Sequence, residues 1–211
     1  VTEVRDNPDA RRFEIAAMSH SARTAILTGA GVAIVLLAFA AALLPLFEEA
    51  PARMTIGWLL LAAGLAELIA AAARFAHRPT SAIAGGATML AGLRLLLDPE
   101  AGFFEVLNLV ILWLVVRTAA LGFCALKAHD RMKAWLGLAA AVDFLLAVAL
   151  LAGMPVALLV VGLFGPTRQV SATFAWVIAL SFVATAALQF AAAQLERPQQ
   201  RREEPPPPPA A

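Results

Sequence analysis

The chain has 211 residues, of which 61% are hydrophobic and 15% charged; soluble domains carry about 25% charged and about 45–50% apolar residues. That balance excludes an ordinary soluble domain. Sixteen basic against fifteen acidic residues give a formal net charge of +1, which says nothing about nucleic acid, because in a membrane protein the charges are segregated by topology. One cysteine, Cys124, excludes an intrachain disulfide and a thiolate metal cluster.

Residues 1–23 are polar, mixed in charge and without the apolar core of a secretory signal. Met18 opens an ordinary start, MSHSARTAIL, so residues 1–17 are expected to lie upstream of the true start. A bilayer core about 30 Å thick takes about 20 apolar residues in a helix, and six stretches fit: 24–46, 54–75, 81–97, 103–126, 134–154 and 171–195. The first, third and fifth end at Pro45, Pro99 and Pro155, and Thr80 and Ser81 offer caps for the third. Val156–Phe164 is apolar but too short to span, and Gly165-Pro166 follows, so it reads as an interfacial or re-entrant piece. Residues 196–211, ending in PPPPPAA, read as a disordered, proline-rich tail.

Loop charge orients the spans. Arg23, Arg74, Arg78, Lys127, Arg131, Lys133 and the tail arginines fall on one side, Arg53 and Arg168 on the other. Both termini are therefore expected in the cytoplasm. The opposite loops are acidic, with Glu48, Glu49, Asp98, Glu100 and Glu105.

The spans read as three copies of one hairpin. Gly29, Gly85 and Gly137 precede the three prolines, and each even span has a tryptophan, Trp58, Trp113 or Trp176. The motif is clearest in GWLLLAAGLAELIAAA (Gly57–Ala72) and GGATMLAGLRLLLDP (Gly85–Pro99). In these features Ala25 to Gln194 resembles the HdeD-like family of bacterial six-span inner-membrane proteins. The resemblance implies an all-α membrane protein of six transmembrane helices, formed by three repeated helical hairpins. It also implies an inner-membrane location and a part in acid resistance, and it brings no catalytic site or cofactor. The chain departs from the family at Val156–Val170, which lengthens the third outer loop.

Three charged residues lie near mid-depth in the spans: Glu67, Arg117 and Asp143. Each is costly in lipid unless paired. Trp113, one turn before Arg117, is placed to stack on it. Two readings stand open: an ion cluster that pins helix register, or a proton- or ion-responsive site. Nearer the outer face, Arg94 precedes Asp98 by one turn, with Glu105 opposite. That outer-side cluster reads as an interfacial ion pair or as carboxylates that lose their charge in strong acid and release Arg94. His20, His77 and His129 flank the spans without metal-ligand spacing, and Asn108 and Gln189 read as interhelical hydrogen-bonding residues.

No Gly-x-Ser-x-Gly, His-Glu-x-x-His or phosphate-cradling glycine loop occurs. The expectation is a non-enzymatic inner-membrane stress protein without metal or cofactor. Its surroundings are the lipid bilayer, further copies of itself or other membrane proteins, and no nucleic acid. The alternatives are a small transporter or channel subunit working through Glu67, Arg117 and Asp143, or an anchor whose proline-rich tail recruits a partner.

Overall fold

The computed structural model describes residues 20–46, 52–74, 78–98, 102–128, 130–164 and 168–203. Six helices account for nearly all of them: α1 His20–Leu43 (with a short 3-10 turn, Leu44–Leu46), α2 Ala52–Ala73, α3 Arg78–Leu97, α4 Phe103–Lys127, α5 Asp130–Phe164 and α6 Arg168–Glu203. No strand occurs among the described residues. Alanine and leucine dominate the helices and favour them locally. The decisive constraint is that a backbone in lipid must satisfy its own N–H and C=O groups.

Five of the six helices are long and apolar enough to cross a membrane; the apolar part of α3, Ser81–Leu97, is shorter. Large apolar side chains such as Leu36, Phe39, Leu65, Leu112 and Leu145 lie exposed along these helices, the reverse of a soluble surface. This is the architecture of a multi-pass α-helical membrane protein.

The helices form a closed ring in which each packs on its sequence neighbour and α6 returns to α1. The most extensive contacts are α2–α3, α1–α6 and α4–α5, and they alternate around the ring with lesser contacts α1–α2, α3–α4 and α5–α6. The hairpins read from the sequence, first with second and so on, are thus the looser pairs. The main apolar core, including Leu60, Leu95, Val110, Leu114, Ile178 and Phe182, fills the half of the ring toward the start of α4.

Glycine sets the α2–α3 contact. A Cβ on Gly64 would fall on the backbone of Met89, and one on Gly92 would lie 2.5 Å from the Leu61 nitrogen. Only a residue without a side chain permits that approach. Gly85 lies against Glu67 in the same antiparallel register: a Cβ there would sit 3.0 Å from the Glu67 Cβ. Gly64, Gly85 and Gly92 therefore build the seam that carries Glu67.

Three expectations change. α5 runs unbroken through Pro155 to Phe164, so Val156–Phe164 continues the helix and is not a separate re-entrant piece. One proline forfeits a single helical hydrogen bond, whereas a helix end inside the apolar run would leave carbonyls where no water can pair them. α3 begins at Arg78, so Thr80 and Ser81 fall within its first turn; Pro79 suits the start of a helix because its missing N–H would be unpaired there anyway. α6 extends to Glu203, so residues 196–203 are helical and not part of a disordered tail; Gln, Glu and Arg favour the helix, and Pro198 costs it a backbone hydrogen bond. The expected upstream start, residues 1–17, and the proline run lie outside the described residues. So do Glu48, Glu49, Glu100, His77 and His129.

Candidate functional site

Arg117 is the hub. It stands about midway along α4, roughly 21 Å from the first turn at 1.5 Å per residue, and only 1% of its surface is exposed. Its helix is closed at both ends. Glu105 accepts the Gly102 backbone N–H at 3.2 Å, and the Ala128 N–H donates to the Cys124 carbonyl at 2.9 Å.

The guanidinium distributes its donors over four other helices. Nη1 donates to both oxygens of Glu67 on α2, at 2.6 and 2.8 Å, and to Thr88 Oγ1 on α3 at 2.9 Å. Nε donates to Asp143 Oδ2 on α5 at 3.1 Å, and Nη2 to Thr185 Oγ1 on α6 at 2.5 Å. A guanidinium suits this position because its fixed fork of five N–H groups reaches several acceptors at once.

Further bonds hold these acceptors in place. Ser181 donates to Asp143 Oδ1 at 2.6 Å. Thr185 and Thr88 donate back to the Ser181 and Ala84 carbonyls of their own helices. Trp113 donates its indole N–H to Thr88 at 3.0 Å and lies with its ring 5.5 Å from the guanidinium. Glu67, Thr88, Arg117, Asp143, Ser181 and Thr185 are all buried. In low dielectric such contacts are strong, and so is the penalty for leaving any of them unmade.

A second polar layer adjoins the first where α2 ends. Arg74 donates to Gln189 Oε1 at 2.7 Å and to Ser81 Oγ at 3.4 Å. Between the layers lies a cavity of about 20 Å³ lined by Glu67, Arg74, Ser81, Arg117, Thr185 and Gln189. About 10–15 Å³ is enough for one water molecule.

The structure thus brings Glu67, Arg117 and Asp143 into one cluster with Trp113, and Gln189 makes an interhelical bond. Sequence reasoning missed Thr88, Ser181 and Thr185. A usable signal was present: Ser181, Thr185 and Gln189 recur every four residues on one face of α6, and Ser81 and Thr88 are seven apart on α3. The tryptophans divide. Trp113 is buried, whereas Trp58 and Trp176 are more than half exposed.

The outer cluster does not form as one unit. Arg94 and Asp98 pair at 2.7 Å across one turn of α3. Glu105 does not join them: its carboxylate caps α4, and with Arg94 it lines a groove of about 230 Å³ walled by Leu95, Val106, Leu109 and Leu112. Asn108 is exposed in the same groove and makes no interhelical hydrogen bond among the described residues.

No protein-family model, curated protein or solved structure matches the chain.

Proposed function

We propose that this chain is a non-enzymatic, six-span protein of a bacterial inner membrane that contributes to acid or envelope stress resistance, as its resemblance to the HdeD-like family implies. Both termini lie in the cytoplasm. The observation that carries the reading is the Arg117 hub. Its bonds join five helices through groups that satisfy one another, an arrangement suited to a protein that works through its own packing and its contacts in the membrane. The predominantly apolar stretch Ser81–Leu97, 17 residues long, reaches the lower limit for a span, about 17 residues. The alternation of close and looser interfaces around the ring is what a threefold repetition of a two-helix unit produces.

Survival after acid shock tests the proposal, in a host strain deleted for the gene and complemented at matched membrane levels. Deletion is expected to lower survival, wild type to restore it and Arg117→Leu to fail. Unchanged survival on deletion refutes the stress role.

A second reading, a small transporter or channel subunit with a proton- or ion-responsive centre, is favoured by one observation. The hub holds two carboxylates against one guanidinium, and a polar cavity adjoins it. Proton flux in proteoliposomes that disappears in Glu67→Gln supports it, and the absence of flux in wild type excludes it.

A further inference from the structure

The two carboxylates of the hub are not equivalent. Asp143 has a donor on each oxygen, Ser181 on one and Arg117 Nε on the other. Both Glu67 oxygens instead share Nη1, and that nitrogen also reaches Thr88. An Nη nitrogen has two hydrogens, so two hydrogens serve three acceptor atoms. Thr88 cannot relieve the shortage, because its own proton goes to the Ala84 carbonyl. Glu67 therefore keeps spare acceptor capacity, and it is the carboxylate that lines the cavity.

The surroundings of Glu67 are asymmetric along the bundle. Toward Arg74 lie the cavity and the polar groups of Ser81 and Gln189. In the opposite direction Leu60, Leu95, Val110, Ile178 and Phe182 pack tightly, each no more than 2% exposed. The charged groups around Glu67 are Arg117 from α4, Asp143 from α5 beyond it, and Arg74 from its own helix. α3 and α6 supply hydroxyls and an amide. α1 contributes Arg23, buried but not among the residues that line the cavity.

Resting on the proton-responsive reading, we propose that Glu67 is a proton-binding site loaded from one face of the membrane only, through the Arg74–Ser81–Gln189 cavity. The step is a transfer from hydronium to a Glu67 oxygen, releasing water into the cavity. It leaves Arg117 and Asp143 as a neutral pair and loosens the hold of Nη1 on Glu67. Arg74 stands at the face with the arginine-rich loops, so the hub reads the pH of that face.

Trp113, in contact with Thr88 and Arg117, is the reporter. The full chain carrying Trp58→Phe, Trp135→Phe and Trp176→Phe keeps it as the sole tryptophan. In liposomes with the protein's sidedness determined, the pH is lowered on one face at a time, with sodium and potassium varied separately. Trp113 emission is expected to respond to acid on the Arg74 face alone, to be indifferent to either metal ion, and to lose the response with Glu67→Gln. Gln189→Leu, which removes the amide that lines the cavity and leaves every charge in place, is expected to slow the response several-fold without changing its final amplitude.

A response from the opposite face overturns the sidedness and leaves the proton-responsive reading standing. No response from either face removes both. A response to sodium or potassium in place of acid, or one that persists in Glu67→Gln, overturns Glu67 as the proton site. An unaltered rate in Gln189→Leu overturns the route through the cavity.

Discussion

Arg117→Leu removes the only cation among the described residues in direct contact with two buried carboxylates, Glu67 and Asp143. The substitution deletes the bonds to Asp143, Thr88 and Thr185 and the shared bond to Glu67. Breaking a buried pair by removing one partner costs about 3–5 kcal/mol. Here two carboxylates lose their partner together, so the upper part of that range applies. At about 1.4 kcal/mol per decade, the roughly 4–5 kcal/mol of that upper part raises the fraction unfolded about 700- to 4,000-fold. The assay is equilibrium unfolding in detergent, compared with a triple variant, Glu67→Gln, Asp143→Asn and Arg117→Met. The triple variant leaves no ionised group buried without its counter-charge, the main source of that cost, so it is expected to recover part of the loss, less what the buried Gln and Asn amides cost where they lack partners. If Arg117→Leu stays within about 1 kcal/mol of wild type, a typical hydrogen bond's worth, the hub does not hold the helices. If the triple variant is as unstable as the single one, the guanidinium acts through its packing and not through its charge.

Two further predictions concern the rest of the bundle. Gly64→Ala or Gly92→Ala drives a methyl group into the facing backbone and is expected to cost about 1–3 kcal/mol, the usual range for overpacking. Gly86→Ala, with open space around its Cβ, is expected to be neutral or mildly stabilising in the same unfolding assay. Equal effects at the three positions would refute the close seam between α2 and α3. Cys124 is fully buried, so a maleimide is expected to label it only as fast as the bundle opens, and Arg117→Leu should accelerate that labelling in step with its loss of stability. Immediate labelling of the wild type would contradict the burial.

The helices were legible because a chain in lipid has little choice. A run of about twenty residues that is apolar but for one mid-depth charge still reads as a spanning helix, so the extents of α2 and α4 follow closely from composition. Pro155 misled because its local cost was set against nothing. In the helix it costs one bond, and stopping there would have put the unpaired carbonyls of the helix end in apolar surroundings. Thr88, Ser181 and Thr185 were passed over because a hydroxyl on an apolar helix is cheap by itself: it bonds its own preceding carbonyl, as Thr88 and Thr185 also do here. Glu105 was placed beside Arg94 on depth alone, and depth does not say whether a carboxylate at a helix start turns to a neighbour or to its own backbone N–H.

The sequence by itself determined that the chain is a multi-pass helical bundle. It also determined that Glu67, Arg117 and Asp143 must find partners, since an ionised group in low dielectric cannot remain alone. Only the tertiary structure decided who those partners are. The α2–α3 seam at Gly64 and Gly92 and the return of α6 to α1 bring five helices around one guanidinium. The same packing leaves the polar cavity on the Arg74 side of Glu67 and dry leucine, isoleucine and phenylalanine on the other. Hydropathy sets each residue's depth along its own helix, but the face it presents to its neighbours depends on how the helices are rotated against one another. That rotation is fixed by contacts between residues far apart in the chain.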